Sequence, residues 1–353
     1  MENLARWVRV AVAFGAFGAG AGLAACGSVK DRPADDSGVA GDAPADAMIA
    51  QQSCAGLAMT CGATGTDDCC TSPPIPGGAF SRIYSVDAQH MTIVGQAAPA
   101  SVGDFRLDKY EVTVGRFRAF VAAGRGLAAT APADGAGAHT KVSGSGWSAA
   151  WNASLPATAQ VRGVALQCDA TFQTWTDAPG TNESRPINCV SWYDAMAFCI
   201  WDGGYLPTES EWTYAAAGGD QLRWFPWSVP SGAQLADATY ASYSPDDGTT
   251  CIGDGMNNCA LTDLLRVGSD PKGDGRWGQS DLGGNVNEWV LDWSTDSYTT
   301  PCADCATVSG GTERVDRGGS FNDDAPSMSA TTRFGRDPTK RDGGLGFRCA
   351  RAP

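Results

Sequence analysis

Only two histidines, His90 and His139, occur in 353 residues. They lie far apart with no helical metal spacing between them, which excludes a site built from several imidazoles. Each reads as a solvated loop residue. Charged residues are scarce at 18%, and basic ones scarcer: 25 Lys and Arg against 39 Asp and Glu leave a net charge of −14. A surface that acidic repels phosphate backbones, so nucleic acid is excluded as a partner while cations such as calcium are not. Beyond the first 26 residues no apolar run is long enough to span a bilayer. A nucleophile elbow, a phosphate-binding glycine loop and a dinucleotide fingerprint are missing, and no repeat of fixed period occurs.

What is plentiful is glycine, proline and cysteine. Forty-five glycines and nineteen prolines indicate turns and long irregular stretches rather than a helix bundle. The 43% of hydrophobic residues still suffices for a sizeable core. The chain opens with a basic stretch (Arg6, Arg9), an apolar run from Val10 to Leu23, and then Leu23-Ala24-Ala25-Cys26. This looks like a bacterial lipoprotein signal peptide over residues 1–25, with Cys26 as the lipidated N-terminus. An ordinary signal peptide with a chance cysteine is the alternative. Gly27 lacks the acidic side chain of an inner-membrane retention signal, so outer-membrane anchoring is expected over inner. Several acyl chains on Cys26 would hold the chain to the membrane stably.

Thirteen cysteines in an exported chain argue for disulfides, and removing Cys26 leaves twelve, an even number for complete pairing. Residues 26–53 are Asp, Ala, Pro, Gly and Ser with little to bury, and read as an acidic flexible tether. Residues 54–71 hold four cysteines among Gly, Thr and Asp and read as a disulfide segment. Zinc is the alternative there, disfavoured by the oxidising compartment and the lack of a nearby histidine. Residues 72–353 form the folded domain. Three helices are predicted in it. Thr113 caps one carrying Phe117, Phe120 and Val121, ended by Gly124. Ser191 with Asp194 and Thr208 with Glu211 are capping boxes for two more, ended by Gly203-Gly204 and Gly218-Gly219. Short β-like runs such as Ile83–Val86 and Phe105–Leu107 alternate with glycine-rich loops. Cys251 with Cys259 and Cys302 with Cys305 are candidate local bridges. Cys302-Ala303-Asp304-Cys305 has the spacing of a redox pair but no thioredoxin-like setting, which favours a structural bridge. The acidic pairs Asp246-Asp247 and Asp323-Asp324 are acid–base candidates or exposed loop acids.

Several segments, in order, resemble one family. They are Pro76-Gly77-Gly78-Ala79-Phe80, Phe105 to Thr113 (FRLDKYEVT), Pro186 to Ala195 (PINCVSWYDA) running into Leu206-Pro207-Thr208-Glu209-Ser210-Glu211-Trp212, Gly283-Gly284-Asn285-Val286-Asn287-Glu288-Trp289, Arg317-Gly318-Gly319-Ser320-Phe321 and Gly346-Phe347-Arg348-Cys349. Together they resemble the sulfatase-modifying-factor, or formylglycine-generating-enzyme, family from about residue 75 to 352. The resemblance implies an α+β, C-type-lectin-like fold that is loop-rich and disulfide-stabilised. It implies a bridge between Cys199 and Cys349; the family's second bridge is missing, since Ala217 and Arg333 stand at its positions. It also implies a structural calcium on the loop Asp281–Glu288, with side-chain oxygens from Asp281 and Glu288 and carbonyls from Gly284 and Val286. Family members bind copper(I) through two cysteines after the Gly-Gly-Ser-Phe stretch, and oxidise a sulfatase peptide cysteine to formylglycine. Here Asp323 and Met328 occupy those positions, and Asn287 replaces an active-site tryptophan. A soft cation selects thiolates, so copper and formylglycine formation are not expected. Iron-dependent members of the wider group need histidines that this chain lacks. The expectation is therefore a non-catalytic, calcium-stabilised binding module for an extracellular peptide, glycan or protein. Oxidation of a sulfatase peptide by altered ligands is the alternative.

Overall fold

The computed structural model describes residues 51–87, 92–228, 236–246 and 248–353. The expected signal peptide, Cys26, and the tether up to residue 50 lie outside the described residues, as do His90 and Asp247. The described part is α+β. Strands β1 (Pro74–Ile75), β4 (Phe105–Leu107) and β10 (Ala350–Arg351) form one small sheet, in the order β1-β4-β10. A long antiparallel hairpin of β2 (Gly78–Asp87) and β3 (Thr92–Val102) carries β6 (Cys302–Ala303) in parallel on its edge. The third sheet has the order β8 (Phe334–Arg336), β7 (Arg314–Arg317), β5 (Asn287–Trp293) and β9 (Leu345–Gly346).

The helix starts follow the capping chemistry read from sequence. Thr113 accepts the Arg116 amide at the head of α1 (Val114–Ala122). Ser191 and Thr208 form reciprocal capping boxes with Asp194 and Glu211, starting α3 (Trp192–Trp201) and α4 (Glu209–Ala216). A further helix, α2 (Ala159–Ala165), was not predicted. Its seven residues carry Gly163 and two valines, and leave Val161 and Val164 exposed, so no apolar stripe announces it. Helix α3 is buried from Trp192 to Cys199 and α4 over its whole length. Phe117, Phe120, Phe198 and Phe347 stack around α3 with ring centroids 5.3–6.5 Å apart. Gly204 lies so close to the last strand that a Cβ there would sit 2.4 Å from the Ala350 carbonyl oxygen.

Six disulfides tie the loops: Cys54–Cys70, Cys61–Cys69, Cys168–Cys189, Cys199–Cys349, Cys251–Cys259 and Cys302–Cys305. All four cysteines of the 54–71 segment pair with each other, which leaves no thiolate for zinc. That segment is also docked: Cys61 and Cys69 pack with Tyr110 and Val267, and Arg266 donates to the Gly62 and Ala63 carbonyls. Docking begins before Cys54. Ser53, expected in the tether, is buried, and its amide donates to Asp202 while its hydroxyl accepts from Arg116. Arg116 and Arg351 face Asp108 and Asp202 in a balanced buried quartet that fixes this entry point. Its pairs span from 8 to 243 positions of sequence, and no local sequence pattern reports it.

Arg348 holds the third sheet to the first. Its Nε and Nη2 donate to the Glu288 carboxylate at 2.6–2.9 Å, its Nη1 to the Asp108 and Lys109 carbonyls, and its Nη2 also to Ser280. Both side chains are buried. Replacing Arg348 by Met strands the Glu288 charge, so urea unfolding should show a loss of about 3–5 kcal/mol. A loss under about 1 kcal/mol would mark the pair as no stronger than a surface one. Asp292, buried on β5, accepts the Glu209 and Thr307 amides and is pushed up to about 7 by burial and then by Glu209. Its folded value exceeds the unfolded one of about 3.9, so the folded chain holds the proton more tightly. With chelator present, the urea midpoint should therefore rise as pH falls from about 8 to about 5, and Asp292→Asn should flatten the rise. A midpoint that drops over that interval contradicts this assignment.

Candidate functional site

The loop from Asp281 to Val286 leads directly into β5, and its backbone is bent by three successive requirements. Asp281 and Asn285 take left-handed conformations at φ 58° and 63°, and Gly284 sits at φ 86°. A Cβ on Gly284 would lie 2.4 Å from the Ser242 carbonyl oxygen, so this turn requires glycine. Asn285 is the loop's anchor. Its Nδ2 donates to Glu111 at 2.7 Å, its Oδ1 accepts the Leu265 amide, and its backbone bonds Ser242 and Phe321. Glu111 also accepts the Val286 amide at 3.1 Å. Glu111 and Asn285 were not singled out as site residues in the sequence. Their partners lie 174 positions apart, and no motif reports that separation.

Burial, then Asp281 and Glu288, raise the Glu111 carboxyl well above its ordinary range. Burial pushes Asp281 up to about 7, although the Gly268 amide donates to its Oδ2 at 2.6 Å. Burial alone would lower the Arg348 guanidinium, but Glu288, Glu111 and Asp281 hold it raised. Three acids thus face one cation. Among the described residues the Gly284 and Val286 carbonyls and the second Asp281 oxygen accept no hydrogen bond. Hard oxygens without partners beside excess negative charge fit a hard cation such as calcium. Glu288 is the least available of the four expected ligands, because both of its oxygens already accept from Arg348 and Oε2 also accepts from Trp212 at 2.9 Å. Among the described residues no three His, Cys, Asp or Glu side chains are spaced to hold a metal by themselves, so carbonyls are needed to complete any such site.

The stretch Gly318-Gly319-Ser320-Phe321 leaves β7 next to this loop, with Gly318 and Gly319 at φ 97° and 68°. Asp323 is held through one oxygen, Oδ2, to which Asn287 Nδ2 donates at 2.6 Å, the Ser320 amide at 2.9 Å and the Ser320 hydroxyl at 2.7 Å. Met328 is wholly buried in an apolar cluster with Phe225, Trp227, Ala241 and Tyr243. A thioether in an aromatic shell and a carboxylate bound by N–H and O–H groups do not fit copper(I). Asn287 and Asp323 are brought together; Met328 serves the core.

The other candidate acids act as turn caps. Asp324 accepts the Ser327 amide and hydroxyl, starting a short helical turn. Asp246 lies exposed and is held below the usual carboxylate range, chiefly by the Thr250 hydroxyl. His139 corrects the expectation of a solvated loop residue. It is buried, with Nε2 3.2 Å from Glu211 Oε1 and Nδ1 accepting the Lys141 amide. Every described tryptophan is buried or half-buried.

The profile of the sulfatase-modifying factor enzyme 1-like domain matches residues 66–353. The mouse formylglycine-generating enzyme is 30% identical over 301 residues, covering 78% of this chain and 74% of its own. The Streptomyces coelicolor formylglycine-generating enzyme is 30% identical over 291 residues, covering 78% and 85%. A mouse protein named inactive C-alpha-formylglycine-generating enzyme 2 is 33% identical over 170 residues, covering 47% of this chain and 48% of its own. Among solved structures, PvdO from Pseudomonas aeruginosa superposes with a TM-score of 0.52 at 23% identity, covering 79% of this chain and 93% of its own. This chain belongs to the sulfatase-modifying-factor family and has its loop-rich, C-type-lectin-like α+β fold.

Proposed function

We propose that this chain is an exported lipoprotein, anchored to a bacterial membrane through Cys26, whose sulfatase-modifying-factor domain is a calcium-stabilised binding module rather than an oxidase. The observation that carries this reading is the state of the two former thiolate positions. Asp323 is a carboxylate held through Oδ2 by Asn287 and Ser320, and Met328 is sealed inside an aromatic cluster. Neither presents sulfur to a shared metal. Relatives named as inactive lend support, although they match only about half of the chain. An extracellular peptide, glycan or protein is the expected partner, met by loops on a scaffold that six bridges make stiff.

The competing reading is oxidation of a sulfatase peptide cysteine, favoured by the roughly 30% identity to named formylglycine-generating enzymes over most of the chain. The two readings separate in one experiment. Purified domain loaded with copper(I) and offered a Cys-x-Pro-x-Arg peptide should retain no stoichiometric copper and leave the peptide thiol intact. Stoichiometric copper with peptide aldehyde would overturn the binding-module reading.

For calcium, Asp281 and the Gly284 and Val286 carbonyls would supply most of the coordination, with Glu288 adding an oxygen beside its ion pair. The bound ion would neutralise the surplus negative charge around Asp281 and Glu111, whose carboxyls are raised chiefly by burial. Calcium at about a hundredfold over its Kd should add about 2.7 kcal/mol to unfolding stability. Asp281→Ala should abolish that increment while leaving the chain folded without calcium. A melting temperature indifferent to calcium and chelator would remove the ion from this account.

A further inference from the structure

Cys302–Cys305 differs from the other five bridges in its surroundings. It spans three residues, the shortest separation of the six. Cys302 lies on β6 and is 5% exposed, whereas Cys305 is half-exposed just beyond the strand. Facing this pair is Arg82 of β2, a residue only 3% exposed. Its Nε donates to the Ala98 carbonyl at 3.2 Å, its Nη2 to the Thr299 carbonyl at 2.6 Å, and its Nη1 to Cys305 Sγ at 3.8 Å. The guanidinium also lies over the Tyr298 ring at 4.4 Å.

Among the described residues Arg82 has no carboxylate within ion-pair distance. Glu209 and Asp292 act on it only from further off, and Glu209 is already held by Arg333 and Arg317. Ser210 Oγ stands 3.5 Å from Cys302 Sγ and 4.0 Å from Cys305 Sγ. On the rim Lys141 pairs with Asp304, one of the two residues between the cysteines. Among the described residues no other disulfide sulfur receives a hydrogen bond from a cationic side chain.

A buried guanidinium without an anion is costly, and a thiolate at Cys305 would supply the missing charge. Stabilising the reduced form makes a disulfide more oxidising. We propose that Cys302–Cys305 is a redox-active bridge that accepts two electrons from the dithiol of a second protein. A thiolate of that protein attacks the sulfur of Cys305, the less buried of the two, the Cys302–Cys305 bond breaks, and Cys302 leaves as a thiolate beside the Ser210 hydroxyl. The second thiolate of the partner then attacks its own sulfur in the mixed disulfide, and Cys305 leaves as a thiolate beside Arg82. The partner ends as a disulfide. Of its two thiol protons, one rests on Cys302 and the other goes to solvent, leaving a Cys302 thiol and a Cys305 thiolate.

Two measurements on the full chain test this. In graded thiol–disulfide buffers, mass spectrometry after alkylation should find Cys302–Cys305 reduced at a dithiol concentration at least about tenfold below that needed for any other bridge. In Cys302→Ser, the pH profile of Cys305 alkylation should be centred at least about one unit below the ordinary thiol value of about 8.5, and Arg82→Met in that background should return it there. Reduction of this bridge together with or after the others would make it structural and overturn the proposal. So would a Cys305 profile centred at about 8.5 with Arg82 in place. The first measurement needs no variant, so misfolding of an Arg82 substitution does not rescue or sink the idea.

Discussion

A guanidinium removed from water needs a partner for each of its five N–H groups, and Arg348 finds all five in segments remote in sequence. Glu288 at the head of β5, the carbonyls after β4, and Ser280 before the site loop converge on that one side chain. Next to it Cys349 closes onto Cys199 at the end of α3, across 150 residues of chain. Ion pair and bridge together set β5, α3 and the last strand at a fixed spacing. With so little regular structure to bear the load, the site loop takes its shape from this junction.

The same junction explains the electrostatics of the loop. Burial raises the carboxyls of Glu111 and Asp281, and the one arginine shared with Glu288 does not offset it. The pattern contrasts with the Arg116–Arg351–Asp108–Asp202 quartet, in which two cations meet two anions and Asp108 is lowered. One cluster is closed in charge and locks the entry of the chain. The other is open in charge, and the calcium proposal rests on that difference.

The replaced positions have been absorbed into the scaffold. Asp323 and Asn287 hydrogen-bond each other across the space between two glycine-bent loops, and Met328 fills the space against Phe225 and Trp227. These contacts tie both positions to the surrounding loops and core. Arg333, standing where a family cysteine is absent, is likewise engaged, pairing with Glu209 at 2.8 Å.

Local chemistry was legible in the chain itself. The caps at Thr113, Ser191 and Thr208 fixed three helix starts, because a side-chain oxygen three residues before an orphan amide acts within one turn. The ordered motifs declared the family, and the cysteine parity declared complete pairing. The short helix at Ala159–Ala165, the docking of Ser53 and the burial of His139 were not legible, since each depends on partners at long sequence separation or on no stripe at all. The sequence determined which groups could bind, cap or bridge. Only the tertiary structure decided that Glu288 faces Arg348, that Met328 lies in the core and that Arg82 faces a disulfide, because burial and charge pairing are properties of neighbours in space.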